Sequence, residues 1–106
     1  MKFSELGAAL VNETKLPVAY HHFNSEPEFP YIVYLFVDND GFEADNSTIY
    51  SEKNINIELY TEKKDLVSEQ LIESFLNAHE IPFYAHEEYI DEEHMYMNVY
   101  EITLGE

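Results

Sequence analysis

Apolar and polar positions follow two different periods along this chain, and the points where the period changes divide it into elements. Phe3, Leu6, Leu10 and Val11 fall on one face at helical spacing, which predicts a short amphipathic helix that Leu16-Pro17 ends. Val18-Ala19-Tyr20 predicts a short strand, and residues 24–30, with Pro27 and Pro30, predict a loop that cannot continue a ladder. The run Tyr31-Ile32-Val33-Tyr34-Leu35-Phe36-Val37 is apolar on both alternating faces and predicts a strand buried on both sides. Asp38-Asn39-Asp40-Gly41 reads as a tight reversal, because these residues tolerate the positive φ that such turns need. Phe42-Glu43-Ala44-Asp45-Asn46 follows, with a second reversal near Asn46-Ser47 and Thr48-Ile49-Tyr50 returning as strand.

Ile55, Ile57 and Leu59 then alternate with Asn56, Glu58 and Tyr60, the period of a half-buried strand. Asp65 is a good N-cap for a helix whose stripe Val67, Leu71, Ile72, Phe75 and Leu76 is expected to cover one sheet face, with Asp65, Glu69 and Glu73 on the polar side. That helix should end near His79-Glu80, since a residue before Pro82 is disfavoured in helix. Pro82-Phe83-Tyr84-Ala85 predicts another short strand, Asp91-Glu92-Glu93 an exposed acidic turn, and residues 95–104 a final strand. In that strand Tyr96, Tyr100, Ile102 and Leu104 share one face and Met95, Met97 and Val99 the other. Together these elements predict an α+β fold: an antiparallel or mixed sheet of about four to six strands, with an N-terminal helix and a second helix packed on one face. Residues 1–106 form a single domain in this reading.

Charge changes the picture most. Twenty-two acidic residues stand against five lysines and no arginine, a formal net charge of −17, while 45% of the residues are hydrophobic and 15% aromatic. The apolar content is that of a folded domain rather than an acidic disordered segment. On a folded surface of roughly 6,000 Å², evenly spread net charges would lie about 19 Å apart, beyond the Debye length of about 8 Å, so the charge is tolerable unless it clusters. The sign argues against direct nucleic-acid binding, which needs cations to neutralise phosphates and, for base recognition, arginine above all. It suits a protein that lies beside nucleic acid without holding it, or one that imitates it. The absence of cysteine excludes disulfides and thiolate metal sites and fits a reducing compartment. The N-terminus has no basic region followed by an apolar run, so the chain reads as soluble, made inside the cell and without a membrane partner.

Candidate chemistry is sparse. Asp38, Asp40, Gly41, Glu43 and Asp45 suggest a calcium loop, but the bidentate glutamate and flanking helix of an EF-hand are missing. His21, His22, His79, His86 and His94 lack metal-site spacing, Ser51 and Ser68 lack a nucleophile elbow, and Gly7, Gly41 and Gly105 lie too far apart for a phosphate loop. Glu87-Glu88 and Asp91-Glu92-Glu93 read as solvated turns. The expectation is therefore no catalytic residue, no metal ligand, no cofactor and no enzyme activity. Tyrosine is more telling. Tyr31, Tyr34, Tyr50, Tyr60, Tyr84, Tyr89, Tyr96 and Tyr100 lie on or beside predicted strands, too many for one small sheet to bury, so some should face outward as interface residues.

Leu16-Pro17-Val18-Ala19-Tyr20, Pro30-Tyr31-Ile32-Val33-Tyr34, Phe42-Glu43-Ala44-Asp45-Asn46, Glu58-Leu59-Tyr60-Thr61-Glu62-Lys63-Lys64-Asp65 and the strand over residues 96–104 resemble the tail-terminator or tail-completion proteins of long-tailed phages and prophages of Gram-positive bacteria. The resemblance spans nearly the whole chain. It implies an α+β subunit that assembles as a ring, with six copies the expected number, at the head-proximal end of the tail tube. There it would meet tail-tube and head-connector proteins, reside in the virion tail, and pass through the host cytoplasm during assembly. The segment bearing Phe42, Ala44, Asp45, Asn46 and Tyr50 is the candidate subunit interface, and DNA would pass through the ring without being bound. An acidic DNA mimic, or another interaction protein that binds a basic partner, is the alternative that the charge alone would satisfy.

Overall fold

The computed structural model describes residues 1–44 and 47–105, and of residues 40–44 and 47–51 the backbone only. The elements run α1 (Phe3–Thr14), β1 (Val18–Tyr20), β2 (Tyr31–Ala44), β3 (Ser47–Thr61), α2 (Leu66–Ala78), β4 (Tyr84–Ile90), a single 3-10 turn (Asp91–Glu93) and β5 (Met95–Gly105). The five strands form one mixed sheet in the order β1-β2-β3-β5-β4. The short edge strand β1 runs parallel to β2, and every other pair is antiparallel. This is the predicted α+β architecture, with both helices on one face.

Register explains where the core lies. Ile32, Leu59 and Asn98 form one row across β2, β3 and β5, Tyr34, Ile57 and Tyr100 the next, and Phe36, Ile55 and Ile102 the third. Leu6 and Leu10 of α1 and Ile72, Phe75 and Leu76 of α2 pack with Ile32, Ile55, Ile57, Leu59, Tyr100 and Ile102 of these rows. Each fully buried leucine or isoleucine contributes about 1.5–3 kcal/mol relative to exposure. Local signals set the helix ends. Lys2 N–H donates to the Glu5 carboxylate at 2.9 Å at the start of α1, and Lys15 closes the helix in the left-handed region with φ 64°. The Asp65 carboxylate accepts from Ser68 N–H at 3.0 Å and from the Ser68 hydroxyl at 2.8 Å, bonds that hold it below its ordinary value. At the far end of α2, Glu80 takes φ 57°, its N–H donates to Asn77 O at 3.1 Å, and Ile81 N–H donates to Leu76 O at 2.8 Å. That is a Schellman motif with a non-glycine residue at its left-handed position.

Four expectations need correction. Residues 38–41 do not turn: β2 continues through them, with a register shift between Phe36 and Asp38. Asp38 accepts from the Asn54 amide at 2.7 Å, and Asn54 accepts from the Thr103 hydroxyl at 2.7 Å, so a polar ladder across three strands overrides the local turn preference. The run over residues 31–37 is buried on both sides only at Tyr31, Ile32 and Val33; Phe36 and Val37 extend beyond helical cover and are exposed. In α2 the core-facing residues are Ser68, Glu69, Ile72, Phe75 and Leu76, so Glu69 is buried rather than on the polar side, while Val67 is 74% exposed and Leu71 only half-buried. Successive helical residues turn by about 100°, so Val67 points about 140° away from Ile72, outside the arc that one sheet face can cover. Finally, Glu87 and Glu88 lie on strand β4, not in a turn.

Candidate assembly surfaces

The longest elements are β2 and β3, of 14 and 15 residues, and they outrun their neighbours. β1 stops opposite Tyr34, and β5 stops at Gly105 opposite Glu52. From Gly41↔Ser51 to Ala44↔Ser47 the two strands pair only with each other, a two-stranded arm beyond the sheet. A ribbon with no third strand is marginal in water unless something packs on it. Of the residues expected to form a subunit interface, Phe42, Ala44 and Tyr50 lie on this arm, with Phe42 and Tyr50 directly paired. Asp45 and Asn46 lie outside the described residues.

A second surface runs along the outward side of α2. Its two glutamates turn inward: Glu69 pairs with Lys64 Nζ at 2.7 Å, and Glu73 accepts from the buried Tyr100 hydroxyl at 3.5 Å. Burial first, and then the Glu73 and Glu69 carboxylates, push that phenol well above its ordinary value. The outward residues are therefore all uncharged. Leu66, Val67, Gln70, Leu71 and Ser74 form a shallow apolar depression, and the Gln70 amide donates along the helix to the Ser74 hydroxyl at 3.0 Å. A neutral helix face on a chain of net charge −17 is a place where another acidic surface can approach without repulsion.

The opposite sheet face carries no helix. Instead the segment between β1 and β2 folds over one end of it. Tyr31 stacks between Phe29, at 5.6 Å between centroids, and Tyr60, at 5.1 Å, and meets the edge of Phe23 at 5.5 Å. Under this segment lies a cleft of about 350 Å³, walled by Phe23, Tyr31, Val33, Tyr60, Ile90 and Met95, with Glu26, Glu93, His21 and His22 also lining it. Tyr31 is raised above its ordinary value by burial first, then by Glu26 and Glu93. Tyr60 is raised further, by burial and by donating its hydroxyl to Glu58 at 2.7 Å.

The acidic positions separate into different environments. Glu87 shares Lys64 with Glu69 and accepts from Asn98, which holds it below its ordinary value, the Lys64 bond acting most strongly. Asp91, Glu92 and Glu93 are exposed on the 3-10 turn, as expected. His79 Nε2 lies 2.7 Å from Glu13, and His86 lies between Glu88 and Glu101 at 3.8 and 3.6 Å. Among the described residues no three His, Asp or Glu side chains are placed to share a metal ion, and no helix is long and apolar enough to cross a membrane. Outward tyrosines exist where the sheet was expected to run out of interior: Tyr84 is 66% exposed and Tyr89 47%. The neutral α2 face and the cleft were not anticipated. A signal for the first was present, since both charges of the helix fall near the arc of Ile72 and Leu76.

No protein-family model matches this sequence, and no curated protein does. Its fold is similar to that of a chain in a solved structure, the virion of a native gene transfer agent particle. The TM-score is 0.62 at 11% identity, covering 92% of this chain and 84% of that one. The α+β fold of this chain is thus one that occurs in a virion.

Proposed function

We propose that this chain is a structural subunit of a phage or prophage tail, of the tail-terminator or tail-completion kind, which assembles as a ring at the head-proximal end of the tail tube. The observation that carries the reading is the fold, found over nearly the whole chain in a gene transfer agent virion. The sequence resemblance to tail-terminator proteins points the same way. In this role the chain is not an enzyme, and its partners are copies of itself, the tail tube and the head connector. A closed ring joins two different surfaces of one subunit head to tail. The β2–β3 arm and the neutral face of α2 are two such surfaces, and their pairing would cover both. An acidic lumen would let DNA pass without sticking.

Sedimentation of the purified chain over a range of concentration and salt tests this reading. Association between like-charged copies should strengthen as salt screens their repulsion, giving one discrete oligomer. A chain that stays monomeric at every salt, yet binds a basic DNA-binding protein in a complex weakened by salt, would be a DNA mimic instead.

A further inference from the structure

We propose that the cleft between the segment over residues 21–30 and the sheet receives an arginine side chain from a basic segment of a different protein. The cleft holds about 350 Å³, room for an extended side chain. Its inner wall is apolar, with Val33 and Met95 at 6% and 4% exposure, suited to the aliphatic stem of a long cationic residue. Glu26 and Glu93 both line the cleft, and among the described residues neither has a cation or hydrogen-bond donor of its own. Tyr31 supplies an independent observation. The residue is 7% exposed and lines the cleft, and its hydroxyl, which is not sealed from solvent, has no hydrogen-bond partner among the described residues. Burial is the main reason this phenol is raised, but Glu26 and Glu93 add to it, so the negative charge of both carboxylates reaches the Tyr31 oxygen.

A guanidinium fits this set better than an ammonium ion. Its planar fork presents five donors, enough for two carboxylates and a phenol oxygen together, and it is less strongly hydrated. The chain has no arginine, so another copy of it cannot fill the cleft; the occupant belongs to a second kind of protein. The net charge of −17 would steer a basic segment toward the surface, and the cleft would then fix one residue of it. This deepens the assembly reading by naming the chemistry of a neighbouring protein in the particle, and ring formation does not depend on it.

The test is a titration of the isotopically labelled chain with three capped tripeptides, Gly-Arg-Gly, Gly-Lys-Gly and Gly-citrulline-Gly, followed by NMR at the Tyr31 and Tyr60 rings and the Met95 methyl. The expected result is saturable shifts at these groups with the arginine peptide, weaker binding of the lysine peptide and no binding of the citrulline peptide. Glu26→Gln and Glu93→Gln should each weaken arginine binding about tenfold or more, as loss of a charge-assisted hydrogen bond does. Glu92→Gln, a neighbouring exposed acid that does not line the cleft, should leave it unchanged. Equal response to arginine and citrulline, equal response to arginine and lysine, or equal loss with Glu92→Gln would overturn the proposal. Unchanged backbone spectra away from the cleft establish that each variant is folded, and sedimentation of the same samples reports ring assembly separately.

Discussion

Ile72 and Val67 stand five residues apart on α2 and look alike in sequence, but the structure gives them opposite duties. Ile72 is wholly buried against the sheet, so Ile72→Ala should cost about 2–5 kcal/mol, the usual range when a large aliphatic side chain is removed from a core. Val67 is 74% exposed, leaving about a quarter of its surface to lose. A quarter of a full valine burial is roughly 0.4–0.8 kcal/mol, and truncation to alanine forfeits only part of it. Replacing a β-branched residue by alanine in a helix returns up to about 0.6 kcal/mol. The two terms nearly cancel, and Val67→Ala should lie within about 0.5 kcal/mol of wild type. Urea denaturation of the chain, at a concentration where it is monomeric, measures both, with the slope held in common as the check on two-state behaviour. The assembly reading adds a companion variant. Val67→Glu places a favourable anion in the first turn of the helix and should fold normally, yet it should prevent self-association. A cost above about 1 kcal/mol for Val67→Ala, or below about 0.5 kcal/mol for Ile72→Ala, would refute the assignment of the helix faces.

Three further predictions rest on separate observations. Glu80→Gly should stabilise the chain by about 1 kcal/mol, because glycine adopts φ near 57° without the penalty that an L side chain meets there; a thermal melt that moves down would count against the Schellman geometry. Glu87 and Asp65 titrate below their ordinary values of 4.5 and 3.8, so their contributions are present above those values and are lost as pH falls through the lowered folded ones, although Glu87, being partly exposed, contributes no more than about 1 kcal/mol. Stability in urea should therefore drop as pH falls below about 4, and a stability that does not change between neutral pH and about pH 3 would show that these two carboxylates contribute nothing. Replacing Asp45 and Tyr50 together should leave the monomer folded and block ring or tail assembly, and normal tail completion by the double variant in a complementation assay would remove the arm from the interface.

The parts of the fold legible in the sequence are those fixed by neighbours along the chain. Asp65 caps α2 because Ser68 is three residues away, and Ile55, Ile57 and Leu59 alternate because the helices cover β3 on one face only. The expected turn over residues 38–41 failed because a preference of Asn, Asp and Gly for reversals competes with a ladder to Asn54 and Thr103, residues that only the folded sheet brings near. The apolar stripe of α2 is wider than its buried face, since an apolar residue in a helix need not face its own core. The cleft was invisible for a similar reason: Phe23, Glu26 and Phe29 belong to a loop without periodicity, and only the stacking of Phe29 and Tyr60 on Tyr31 turns them into a wall.

The measurement that bears most directly on the central claim is cryo-electron microscopy of particles from cells that produce the chain with a small density tag. The expected result is a closed ring of tagged copies at the junction of tail tube and head, with acidic side chains toward its lumen and the outward face of α2 within a subunit contact. Complete, infectious particles that contain no copy of the chain, or contain it anywhere other than at the end of the tube, would contradict it.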